Sequence, residues 1–187
     1  MTPRRAVFLD RDGTLVDDPG FLKNPDDVRL LPGAGEALAR MAQAGFAIVI
    51  VTNQSGIGRG LLTHDDYRRV QERVEELLAQ DGPGVDASYY CPHSPTDDDP
   101  CDCRKPETRL YRDAERDLDL DMAGSWWVGD RLSDLHPAEA FGGRAILVLT
   151  GYGQEHRAGA QDRAIPEARD IMEAAGQVAE ATAPTGD

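Results

Sequence analysis

The sequence predicts an α/β fold in which a mainly parallel sheet is covered by helices on both faces. Three observations carry this reading. Short apolar runs recur at 6–9, 46–51, 87–90, 125–128 and 144–149, each of strand length. Segments with helical apolar spacing alternate with them, as a parallel sheet requires. Acids, hydroxyls and glycines follow the ends of several runs, where open α/β sheets bind ligands.

The composition limits the function classes. With 187 residues the chain can bury one real core, and 40% hydrophobic with 29% charged residues matches an ordinary globular protein. Acids outnumber Lys plus Arg by 34 to 20, a formal charge of -14, which argues against nucleic acid or an anionic membrane as partner. A small anionic substrate stays compatible, because a local cluster of cations overrides the global field. No stretch approaches the ~18–20 apolar residues of a membrane span. The opening Met1-Thr2-Pro3-Arg4-Arg5 runs directly into a strand rather than a signal-type apolar region. A cytoplasmic monomer is the expectation, since no long exposed apolar face stands out.

The first strand, Ala6 to Leu9, ends in Asp10-Arg11-Asp12-Gly13-Thr14. Two carboxylates at the mouth of a buried strand repel one another unless a cation lies between them, and an oxygen-rich site suits Mg²⁺. Taken alone, the same residues also suit a plain polar turn. The segment from Val16 to Pro32 has turn chemistry and no sustained period, so it reads as a surface loop beside the acids. A helix from Gly35 to Ala44 ends at Gly45. Phe46 to Val51 is a strand buried on both faces, and Thr52-Asn53-Gln54-Ser55-Gly56-Ile57-Gly58-Arg59-Gly60 follows it. Backbone N–H groups in such a loop, with a hydroxyl beside them, can cradle a phosphate.

Thr63 caps the next helix, with Tyr67, Val70, Val74, Leu77 and Leu78 as its core stripe. His64 is a solvent-exposed first-turn residue. After a third strand, Ala87 to Tyr90, come Cys91, His93, Cys101 and Cys103. Three thiols and an imidazole form the tetrahedral ligand set of structural zinc, which prefers them to Asp97, Asp98 and Asp99 nearby. Three free cysteines are the alternative. Four protein ligands leave no open position, so this zinc is structural, and the loop it folds aims Arg104 and Lys105. Pro106 then starts a helix from Glu107 to Leu118. The fourth strand, Ser125 to Val128, again ends in an acid, within Gly129-Asp130-Arg131-Leu132-Ser133-Asp134. A short helix at 138–141 and a fifth strand, Arg144 to Leu149, complete the sheet. Beyond it lie a helix from about Glu167 to Glu180 and a frayed Ala-Pro-Thr-Gly-Asp end. The domain expectation is 1–155 with a zinc loop at 91–103, followed by a C-terminal helical extension at 156–187.

Asp10, Thr52, Lys105 and Asp130 thus all fall at or after strand ends. Together with Asp10 to Thr14, Thr52-Asn53 and Gly129-Asp130 to Asp134, they resemble the four motifs of the haloacid dehalogenase-like phosphatases. The Cys-x-His and Cys-x-Cys pairs, the glycine-rich loop and Cys-Arg-Lys-Pro narrow the resemblance to the heptose-bisphosphate and histidinol phosphatase subgroup. It covers about Val7 to Thr150. The resemblance implies a Rossmann-like three-layer sandwich, a five-stranded sheet of order 3-2-1-4-5 and an open site without a large cap domain.

It also implies roles. Asp10 is the nucleophile and Asp12 the acid and base. Thr52 and Asn53 donate to phosphate oxygens, Lys105 balances their charge, and all of these except Asn53 count as catalytic. Mg²⁺ binds Asp10, Asp130 and the backbone carbonyl of Asp12, while Asp134 orients Lys105. Arg104 recognises substrate, as do Gln54, Ser55, the loop of Asp18, Pro19, Gly20 and Phe21, and Arg131. Family members often carry Lys in place of Arg131 and Tyr in place of Phe21. The expected substrate is a small phosphorylated metabolite, with a heptose bisphosphate ahead of histidinol phosphate because the chain shows no dehydratase domain. A zinc-stabilised phosphate-binding scaffold is the non-enzymatic alternative, and the presence of both Asp10 and Asp12 speaks against it.

Overall fold

The computed structural model describes residues 3–96 and 101–181. Six strands form one parallel sheet in the order β3-β2-β1-β4-β5-β6. They are β1 (Arg4–Leu9), β2 (Ala47–Asn53), β3 (Ala87–Cys91), β4 (Leu120–Gly129), β5 (Arg144–Val148) and β6 (Glu167–Ala168). The helices are α1 (Ala34–Gln43), α2 (Ser55–Gly58), α3 (His64–Leu78), α4 (Arg109–Leu118), α5 (Leu132–Leu135), α6 (Pro137–Phe141), α7 (Gly153–Gln161) and α8 (Ile171–Glu180). The strand order reverses beside β1, so the turns after β1, β2 and β4 meet at one edge, the position where such sheets bind ligands.

The apolar runs form strands because both their faces are covered. Val7, Leu9, Ile48 and Ile50 face a core completed by Leu38 and Met41 of α1 and Val70 and Val74 of α3. Phe8, Val49 and Val51 face the opposite core, where Phe8 packs with its ring tilted 30° against Trp127 at 4.8 Å and meets Tyr111 edge-on at 5.2 Å. Helix α3 begins as its sequence requires: Thr63 and Asp66 form a reciprocal capping box.

Three boundaries differ from the sequence reading. The sheet has a sixth strand where a helix was expected from Glu167. Leu147 N donates to Pro166 O and Leu149 N to Ala168 O, both at 2.9 Å. The helix starts at Ile171, because the Asp170 side chain accepts from Glu173 N at 2.9 Å. Pro106 does not open the fourth long helix. It follows a cis peptide bond in a turn closed by Glu107 N donating to Arg104 O, and α4 begins at Arg109. The fourth strand is longer than its apolar run, because Leu120 and Met122 are buried beneath α4. The loop at 16–32 holds a short 3-10 turn, Pro25–Asp27, and a bridge between Val16 and Leu30. Among the described residues no insertion large enough for a cap domain follows β1 or β2. The acids at 97–99 and the expected frayed tail at 183–187 lie outside the described residues.

Candidate active site

Asp10 leaves the end of β1 with its N–H donated to Val128 O at 3.0 Å, which fixes it between β2 and β4. Lys105 Nζ reaches it across the sheet edge, 2.6 Å from Asp10 Oδ1, 2.6 Å from Val51 O and 2.8 Å from Asp134 Oδ1. Asp134 accepts as well from Arg131 N at 2.9 Å, so its carboxylate is anchored beside the Lys105 ammonium. Asp130 lies beneath, fully buried. Tyr152 N donates to its Oδ2 at 2.8 Å, whereas its Oδ1 has no hydrogen-bond partner among the described residues. Gly13 is required here, because its φ is 88° and a Cβ would run into Asp130 Oδ2.

The electrostatics follow from burial. Burial raises the Asp10 pKa well above the ordinary carboxylate range, a shift that Lys105 opposes without cancelling. Burial likewise pushes Asp130 up to about 6. Burial works against the Lys105 charge, but Asp10 and Asp134 outweigh it and hold the ammonium above its ordinary value. Asp10, Asp130 and Asp134 bring carboxylate oxygens within 4.8 Å of one another, against a single ammonium. A divalent cation fits this donor set, since it supplies the missing charge and a partner for the orphaned Asp130 Oδ1.

Asp12 is held apart from this group. Arg11 Nη2 lies 2.9 Å and Nε 3.1 Å from both of its carboxylate oxygens. Gln54 Nε2 donates to Asp12 Oδ2 at 2.8 Å, and Thr52 Oγ1 lies 3.4 Å from the same atom. Asn53 acts on the Lys105 backbone: its Oδ1 accepts from Lys105 N at 3.0 Å and its Nδ2 donates to Lys105 O at 3.2 Å.

One cleft of about 530 Å³ is lined by Asp10, Asp12, Asp18, Gly20, Phe21, Thr52, Asn53, Gln54, Ser55, Arg104, Lys105 and Arg131. The fold therefore gathers nearly all the residues that the sequence singled out. Pro19 instead lines an adjoining cleft of about 620 Å³, with Phe21 forming the wall between the two. Sequence reasoning missed Arg11, Arg59, Ser133 and Tyr152. Arg59 lies over the Phe21 ring at 5.9 Å, and Arg131 over the Tyr152 ring at 3.7 Å. The position of Arg59 inside the glycine-rich loop was the available signal; Tyr152 carried none.

A second cluster lies directly upstream of Arg104. Cys91 Sγ is 3.0 Å from Cys103 Sγ, 3.6 Å from Cys101 Sγ and 3.5 Å from His93 Nδ1, and His93 Nδ1 is 3.2 Å from Cys103 Sγ. The edge of a tetrahedron around zinc with thiolate bonds of ~2.3 Å is about 3.8 Å, and the four donors all lie within 4.8 Å of one another, so small adjustments close them around a zinc ion. Burial pushes the Cys91 and Cys103 thiols up, so metal has protons to displace there. Arg104 Nη1 donates to His93 O at 3.2 Å, which ties the cluster to the cleft.

The parallel sheet and its acid-bearing strand ends define a haloacid dehalogenase-like hydrolase. A family model described as "HAD-hyrolase-like" matches residues 102–174. The D-glycero-beta-D-manno-heptose-1,7-bisphosphate 7-phosphatase of Haemophilus ducreyi is 42% identical over 154 residues, covering 79% of this chain and 85% of that protein. The enzyme of the same name from Bordetella bronchiseptica is 41% identical over 177 residues, covering 94% and 96%. A crystal structure of D,D-heptose 1.7-bisphosphate phosphatase from B. bronchiseptica, complexed with magnesium and phosphate, superposes with a TM-score of 0.85 at 39% identity. It covers 95% of this chain and 99% of that one. The chain belongs to this family of heptose-bisphosphate phosphatases.

Proposed function

We propose that the chain hydrolyses the 7-phosphate of D-glycero-D-manno-heptose 1,7-bisphosphate through an aspartyl-phosphate intermediate. The observation that carries this reading is the Asp10 carboxylate at the sheet edge, 2.6 Å from the buried Lys105 ammonium and beside the orphaned Asp130 oxygen. The relatives named above act on that substrate by name.

Asp10 attacks phosphorus in line, forming a bond from its carboxylate oxygen as the bond to the sugar oxygen breaks. Asp12 gives a proton to the departing alkoxide. Water then attacks the phosphorus, Asp12 takes its proton, and phosphate leaves as Asp10 is regenerated. Lys105 holds Asp10 in place and balances phosphate charge, as Thr52 does by donating a hydrogen bond. Asn53 keeps Lys105 at its position by bracing its backbone. Phosphoryl transfer depends on such positioning and charge balance. Mg²⁺ would be held by Asp10, Asp130 and the Asp12 carbonyl, and it supplies further neutralisation of the transferring group. Cys91, His93, Cys101 and Cys103 would hold a structural Zn²⁺, which would fix the loop that carries Arg104 toward substrate. Gln54, Ser55, Arg131 and the loop at 18–21 complete the recognition surface of an open cleft.

We read 1–155 as the phosphatase domain and 156–187 as an extension that completes its sheet with β6 and its core with α8, and the protein as a cytoplasmic monomer. Among the described residues no helix is long and apolar enough to cross a membrane.

The test compares kcat/KM for heptose 1,7-bisphosphate and histidinol phosphate with Mg²⁺. The heptose is expected to win by about 100-fold or more, some 2.7 kcal/mol of differential transition-state binding. Histidinol phosphate winning would reassign the substrate. The activity is expected to vanish in Asp10→Asn, and equal phosphate release by that variant would remove Asp10 from the mechanism.

A further inference from the structure

Arg11 is the one residue between the two motif acids, and it points away from the phosphate cleft into the protein. It is 1% exposed, lies 5.5 Å over the Tyr67 ring, and its Nη1 is 3.5 Å from Gln71 Oε1. Gln71 is itself held, donating to Glu75 at 3.0 Å and Ser88 at 3.1 Å. The guanidinium is thus fixed from behind by α3, and its Nε and Nη2 meet both oxygens of Asp12. Burying a charge is costly, and an apolar side chain of similar volume would fill the space against Tyr67 more cheaply. What only the guanidinium supplies is the grip on Asp12. That grip, together with the Gln54 bond, engages both oxygens of Asp12 and fixes the direction its carboxyl group faces.

We propose that Arg11 is a positioning residue for the second half of the reaction, holding Asp12 in the orientation from which it takes a proton from the attacking water. In that step the water oxygen bonds to phosphorus and the phosphorus–Asp10 bond breaks. The water proton passes to Asp12, which becomes the neutral acid. The inference rests on the roles of Asp10 and Asp12 given above. With a leaving group that departs without a proton, the first half still phosphorylates Asp10 in the absence of Arg11, so the intermediate outlives its usual span.

Rapid-quench kinetics with p-nitrophenyl phosphate and Mg²⁺ test this, because its leaving group departs without a proton. Arg11→Met is expected to lower the steady-state rate about 10- to 100-fold while producing a p-nitrophenol burst approaching one per active site. Arg11→Lys keeps the charge without the two-nitrogen grip, and it is expected to show the same burst with a smaller loss. An unchanged rate in Arg11→Met overturns the proposal, as does full activity in Arg11→Lys. So does a slow variant with no burst, which is the signature of a role in folding alone. A wild-type enzyme inactive on every phosphate ester overturns the phosphatase reading and this proposal together.

Discussion

At the scale of single residues, the chemistry depends on how many buried charges face one another. Asp130 titrates at about 6 against 3.8 for a free side chain, with burial as the leading cause, and Asp10 shifts in the same direction. For an acid with a raised folded pKa, the unfolded chain loses its proton first. Metal-free protein should therefore lose stability as pH climbs from about 4 through about 6. Mg²⁺ reverses this by favouring the ionised pair, so it should raise Tm more at pH 7.5 than at pH 5. Differential scanning fluorimetry with and without Mg²⁺ checks both trends, and a metal effect equal at the two pH values would count against the carboxylate site. The acids, Thr52 and Lys105 were legible because their types and order are local. Arg11 was not, since its meaning comes from Tyr67 and Gln71, about sixty positions away.

At the scale of elements, two pieces carry separate loads. The cysteine loop leads into Arg104 and Lys105, whose backbone is gripped by Asn53. Cys101→Ser should lose the roughly one zinc per chain measured by plasma emission. If the ordered loop contributes about 3 kcal/mol, Tm should fall by about 6–12 °C. Zinc-free wild-type protein purified without chelators would contradict the site. Helix α8 covers α1 with Ile171, Ala174, Ala175 and Val178, all buried in the core over the sheet. Ile171→Ala should cost about 2–5 kcal/mol, read as a lower urea midpoint at unchanged slope. A loss within ~0.5 kcal/mol would mean that α8 adds little to the core. The cluster able to hold zinc could be read from the sequence because thiol chemistry is distinctive. The start of α4 could not, because a proline suits a first helical position and a tight turn equally well.

At the scale of the whole molecule, the -14 charge surrounds a cleft that collects Lys105, Arg104, Arg131 and Arg59. This local field lets an acidic protein hold an anionic substrate. The same excess of acid opposes self-association, and light scattering should return the 20.4 kDa monomer, with a mass twice that overturning the expectation. The alternation of strand and helix, the acids at strand ends and the thiol cluster were all determined by the sequence alone, because each depends on residue type at short spacing. The sheet order came from resemblance, not from periodicity. Tertiary structure decided the sixth strand, the packing of α8 on α1, the grip of Arg11 on Asp12 and that of Asn53 on Lys105. A two-residue strand such as Glu167–Ala168 carries no pattern of its own, and it exists because the edge of β5 offers it partners. Hydrogen bonds between distant segments select among conformations that local propensity leaves nearly equal, and only the folded chain brings those segments together.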